Sequence, residues 1–130
     1  MWMLAAVLAC GDADPSDSDT PAHACDALVE PGPAECDGAY EVDWDSWGEG
    51  FMLTQCQTCH ASSASNRYGA PEANVFDTVE DVCSQRERIQ VRVLDEETMP
   101  PAGGLTEDDK VLLQTWLDCV LPYEEPATTR

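Results

Sequence analysis

Apolar side chains recur at three- and four-residue intervals in three separate stretches of this chain, and each stretch predicts an amphipathic helix. The first runs from Val42 through Thr54, with Trp44, Trp47, Phe51 and Leu53 apolar and Gly48 and Gly50 among them. The second carries Val79, Val82, Cys83, Arg86, Ile89 and Val93 at these intervals, so one face is apolar. Thr78 precedes it with Asp81 three residues on, so a capping box is expected at its start. The third presents Val111, Leu112, Leu113, Trp116, Leu117, Val120 and Leu121; Thr106 and the acidic run Glu107-Asp108-Asp109 mark its positive end, and Pro122 stops it. Between the first two lies Ala61 to Pro71, a loop by its small and turn-forming residues. The pattern predicts one all-α domain over residues 40–123, with residues 124–130 frayed.

Ahead of that domain the composition changes twice. Trp2 to Ala9 is apolar and ends at Cys10; Val7-Leu8-Ala9-Cys10 followed by Gly11 resembles a bacterial lipobox, in which the cysteine is lipidated and becomes the mature N-terminus. No Lys or Arg precedes the run, which is short for a signal peptide and far too short to span a bilayer. A true start upstream of Met1 would account for both, and the expectation is an exported, lipid-anchored protein, periplasmic or at the cell surface. Residues 11–39 are rich in Asp, Ser, Pro, Ala and Glu, a composition that cannot offset the entropy of ordering and predicts an extended acidic linker.

The charge narrows the partners. Twenty-six acidic residues against six basic ones give a formal charge of −20 in 130 residues, which repels nucleic acid and anionic lipid surfaces. A protein partner with a basic docking face would instead be attracted, over about 8 Å at physiological salt.

Chemistry concentrates at Cys56-Gln57-Thr58-Cys59-His60. Two thiols three residues apart, followed at once by an imidazole, form the attachment pattern of a c-type haem: each thiol adds across one porphyrin vinyl group and the histidine comes to lie under the iron. A zinc site would need further ligands at comparable spacing, and a thioredoxin-like pair would need a βαβ context; neither is found in the sequence. His23 lies in the acidic leader, where solvation is the ordinary state of such a residue. If Cys10 carries lipid and Cys56 and Cys59 carry haem, the remaining Cys25, Cys36, Cys83 and Cys119 suffice for two disulfides, for which three pairings exist. The simplest closes a local Cys25–Cys36 loop around Pro31-Gly32-Pro33 and ties the last two helices through Cys83–Cys119.

Taken together, residues 43–122 resemble a small bacterial single-haem cytochrome c domain: a bundle of three main helices around one covalent haem c, in the order helix, haem motif, loop, helix, methionine loop, helix. The resemblance places Gly48 and Met52 where the first helix crosses the last, a missing side chain allowing close approach and a bulky one filling the crossing. It implies Cys56 and Cys59 as haem attachments, His60 as one iron ligand and Met99, just before Pro100-Pro101, as the other. It further implies that the Pro71 carbonyl accepts the hydrogen bond from the far imidazole nitrogen, a role that a plain turn proline would not have. Arg86, Arg88 and Arg92 gather half of the basic residues on one helix, suited to the haem carboxylates or, equally, to Glu80 and Glu87 on their own helix. The implied function is one-electron transfer with no substrate turned over. The alternatives are a gas sensor or peroxidase-like enzyme, should Met99 leave the iron open, and a haem-free, disulfide-braced surface lipoprotein.

Overall fold

A computed structural model describes Cys25, Cys36 and residues 42–124. The expectations for Cys10, His23 and the acidic linker therefore lie outside the described residues, apart from its two cysteines. Regular structure among the described residues is helical throughout, with no strand, and no helix among them is long and apolar enough to cross a membrane.

Helix α1 opens with the wide-turned segment Trp44–Gly48 and continues through Glu49–Gln55. Asp43 caps it by accepting the Ser46 N–H at 2.7 Å, while the Ser46 hydroxyl receives the Asp43 N–H at 3.1 Å. One turn, α2, follows at Gln57–His60. The α3 run comprises Val79–Ser84, Arg86–Ile89 and Gln90–Asp95, and the α4 run comprises Glu107–Thr115 and Trp116–Val120, tightening into the turn Leu121–Tyr123. Both expected caps are present: Thr78 with Asp81, and Thr106 with Asp109, each form reciprocal capping boxes.

The core lies where α1, α3 and α4 meet. Met52, Val82, Leu113, Trp116, Leu117 and Leu121 are wholly buried, each worth about 1.5–3 kcal/mol for a side chain of this kind removed from water. Gly48 lets α1 approach Trp116, around which Trp47 packs edge-on at 5.8 Å and Trp44 at 6.1 Å between ring centroids.

Two expectations are corrected here. The disulfides join Cys25 to Cys83 and Cys36 to Cys119, with Cα separations of 5.3 and 5.4 Å. The leader is thus fastened at two points to α3 and α4 rather than closed upon itself, and Cys25 is buried in the core. Arg86, expected among the haem carboxylate partners, instead ties α3 to α4: its Nε donates to the Leu117 carbonyl at 2.6 Å and its Nη2 pairs with Asp118 at 2.7 Å. Both of these side chains are shielded from solvent, so the guanidinium is spent on a buried partner.

Candidate functional site

A cleft of about 360 Å3 opens between α1, α2, the loop after His60, α3 and the methionine loop, within the range of small-molecule and cofactor sites. Cys56, Cys59, His60, Pro71, Arg88, Arg92 and Met99 all line it. Residues distant in sequence, from α2, α3 and the Met99-Pro100-Pro101 segment, are therefore brought to one cavity; Arg86 is the predicted site residue that stays outside. Phe51, Met52, Ile89 and Val93 supply apolar wall.

Cys56 and Cys59 are unpaired; Cys56 sits at the break between α1 and α2, where its backbone leaves helical geometry, and Cys59 lies within α2. Burial against the wall pushes the Cys56 thiol up to about 12. No group of three or more His, Cys, Asp or Glu able to hold a metal ion occurs among the described residues, so the zinc reading finds no further ligands.

His60 ends α2, and its ring is fixed by the returning loop. Nδ1 lies 2.9 Å from the Asn74 carbonyl; a carbonyl oxygen only accepts, so Nδ1 carries the proton and Nε2 the lone pair. Phe76 packs against the ring at 4.9 Å and its N–H bonds the His60 carbonyl at 2.8 Å. The expected Pro71 carbonyl is three residues short of the observed one. It accepts from Asn74 N–H and from Arg67 Nη2 instead, because the chain turns back at Tyr68 and Gly69, both with positive φ, and delivers Asn74 rather than Pro71 to the ring. Arg67 and Asn74 are thus the site residues missed in the sequence. The available signal was Arg67 itself, one of six basic side chains, seven residues past His60.

Met99 sits on a loop hung from the end of α3, its N–H bonded to the Arg92 carbonyl at 3.0 Å beside that of Thr98 at 2.8 Å. Lys110, the only lysine, joins this loop to the start of α4 by pairing with Glu97 and Glu107 at 2.5 and 2.9 Å. The Arg92 guanidinium pairs with Glu96 at the exposed rim.

The donor set fits a covalently held haem. Two unpaired thiols, a histidine with an oriented lone pair and a thioether share one apolar cleft. Its lining includes Arg67, Arg88 and Arg92 but no described Asp or Glu, in a chain with twenty-six acidic residues. That local reversal of charge suits a ligand bearing carboxylates. No protein-family model, curated protein or solved structure matches the chain.

Proposed function

We propose that the chain is a one-electron carrier, a single-haem c-type cytochrome domain in which the cleft holds one haem c. The convergence of Cys56, Cys59, His60 and Met99 on that cleft carries the reading. Bound there, the haem iron supplies a one-electron couple between its ferric and ferrous forms. The chain's own residues do the rest. Cys56 and Cys59 would tether the haem through thioethers, His60 would offer Nε2 and Met99 its sulfur to the iron, and Arg88 would be available to the carboxylates, joined by Arg92 where it gives up its Glu96 partner. Phe51, Met52, Ile89 and Val93 keep water from the ring faces, which limits the solvent reorganised when charge changes. The electron enters from a reduced protein donor and leaves to an oxidised protein acceptor, whose basic face would meet the acidic exterior. Cys10 supplies a lipid anchor in an exported location, and no nucleic acid is bound.

The test is an absorption spectrum, oxidised and reduced, of protein made in a periplasm with c-type haem maturation machinery, with a denaturing haem stain alongside. Covalent haem with a far-red methionine-to-iron band is the expected result. Covalent haem without the band, and carbon monoxide binding fast to the reduced form, would replace the carrier by a sensor or peroxidase-like enzyme. Absence of haem would leave the disulfide-braced surface lipoprotein.

A further inference from the structure

Arg67 donates its guanidinium hydrogen bonds to backbone carbonyls within the loop that positions His60. Nη1 reaches the Ala61 carbonyl at 2.7 Å, Nε that of Ala70 at 3.3 Å, and Nη2 those of Pro71 at 2.8 Å and Asn74 at 3.0 Å. The planar fork therefore holds both ends of the loop at once, which a point charge such as lysine cannot do. The Asn74 oxygen is the one that also receives the His60 Nδ1–H.

Two donors on one carbonyl oxygen compete. Each draws on the same electron density, so a cation on one lone pair weakens acceptance at the other. A carbonyl that accepts strongly from Nδ1–H makes the imidazole more basic and Nε2 a stronger electron donor. We propose that Arg67 is a positioning residue for His60: it fixes the Asn74 carbonyl against the ring and, by sharing that oxygen, restrains electron donation from Nε2 and keeps the reduction potential of the site high. The inference rests on the electron-carrier reading.

The experiment compares wild-type holoprotein with Arg67→Met and Arg67→Lys by redox titration and by nuclear magnetic resonance of the His60 Nδ1–H. In Arg67→Met the potential is expected to fall by about tenfold in the one-electron equilibrium constant, about 59 mV. The Nδ1 proton resonance is expected to move downfield as its bond to Asn74 strengthens. Arg67→Lys should fall less, since an ammonium can still donate to the Asn74 oxygen although it cannot hold both ends of the loop. An unchanged potential overturns the proposal, and so does a fall with the Nδ1 resonance unmoved, which would assign the effect to charge through space. Should Arg67→Met not accumulate or lose its methionine band, hydrogen exchange of the wild-type guanidinium protons decides: Arg67 is expected to exchange about a hundredfold slower than free arginine at the same pH, and an equal rate overturns the proposal. Absence of covalent haem from the wild-type protein would defeat the electron-carrier reading itself, while the exchange comparison, which needs no haem, would still decide the Arg67 clamp.

Discussion

Gly48 and Trp116 meet so closely that a Cβ on the glycine would lie 2.6 Å from Cζ2 of the indole. Trp116 is wholly buried and hemmed by Trp44 and Trp47, so it has nowhere to move. Gly48→Ala should therefore destabilise by about 1–3 kcal/mol through overpacking, despite the better helix propensity of alanine. Gly50, two residues further on with nothing within 4 Å of its notional Cβ, is the internal control. Gly50→Ala should stabilise by about 0.5–1 kcal/mol. Urea unfolding of the two variants checks this, and shifts of the same sign would rule out the tight crossing of α1 and α4.

Arg86 and Arg88 are two residues apart and are expected to behave oppositely. Arg86 is paired to an Asp118 whose side chain is 2% exposed. Removing the guanidinium takes the cationic partner from a buried carboxylate that also accepts from Gln114 Nε2 at 2.7 Å, so Arg86→Met should cost about 3 kcal/mol, the low end for a broken buried pair. Arg88 is solvent-exposed at the cleft, and Arg88→Gln should change stability by under about 0.5 kcal/mol while moving the potential of the holoprotein. A large melting-temperature loss in Arg88→Gln, or none in Arg86→Met, would reverse the assignment of these two arginines.

The contrast between those arginines marks where sequence reading stops. Thr78 with Asp81, and Thr106 with Asp109, were legible because a capping box closes within three residues and needs no tertiary information. The Cys56-Gln57-Thr58-Cys59-His60 run is likewise local, and what the structure adds is that Cys56, Cys59 and His60 line one cleft. Gly48 and Met52 were placed by resemblance, and Gly48 is indeed against Trp116 while Met52 is fully buried. Arg86, unlike Arg88 and Arg92, falls at the helical interval of the apolar face, but its partner could not be named, because Asp118 lies thirty-two residues away and only the packing of α3 on α4 brings the two together. Nor could the carbonyl on His60 be named, since it depends on the loop reversal at Tyr68 and Gly69. The cysteine pairs failed likewise: separations of 58 and 83 residues carry no local signal.

Cross-linked partners should respond as units. Cys36→Ser, Cys119→Ser and the double variant are each expected to lose about the same stability, about 2–5 kcal/mol, because one bridge is lost in all three. Combining Cys36→Ser with Cys25→Ser removes both bridges and should cost more than either change alone. Peptide mapping of oxidised protein should recover Cys25 with Cys83 and Cys36 with Cys119; a Cys25–Cys36 peptide would restore the local loop.

Asp43 supplies a pH dependence whose sign is fixed. Hydrogen bonds from the Ser46 side chain and backbone hold its carboxyl below its ordinary value of 3.8. A group whose folded value is depressed contributes stability above its unfolded value, and loses it as pH falls through the folded one. Asp43→Ala should cost about 1 kcal/mol near neutrality, toward the low end of the capping range because the residue is solvent-facing. The gap to wild type should narrow once pH drops below 3.8. Thermal melts of both proteins from neutral to acid pH check this, and a gap that widens on acidification would exclude the carboxylate as the cap.

Met99 is the residue on which carrier and sensor divide. Its side chain is 38% exposed and its loop is held by backbone, through the Arg92 carbonyl, and by Lys110 with Glu97, none of which involves the sulfur. Met99→Ala should therefore leave the fold and the thioether bonds at Cys56 and Cys59 intact while abolishing the far-red band. With the sixth position vacated, carbon monoxide should bind the reduced variant rapidly where it leaves the wild type largely unaffected. The potential should fall as well, since thioether ligation favours reduced iron. A band that survives in Met99→Ala would remove Met99 from the ligand set and require another residue at the iron. Fast carbon monoxide binding to wild type and variant alike would mean that the methionine never closes the site, and the cleft would then belong to a sensor or an enzyme rather than a carrier.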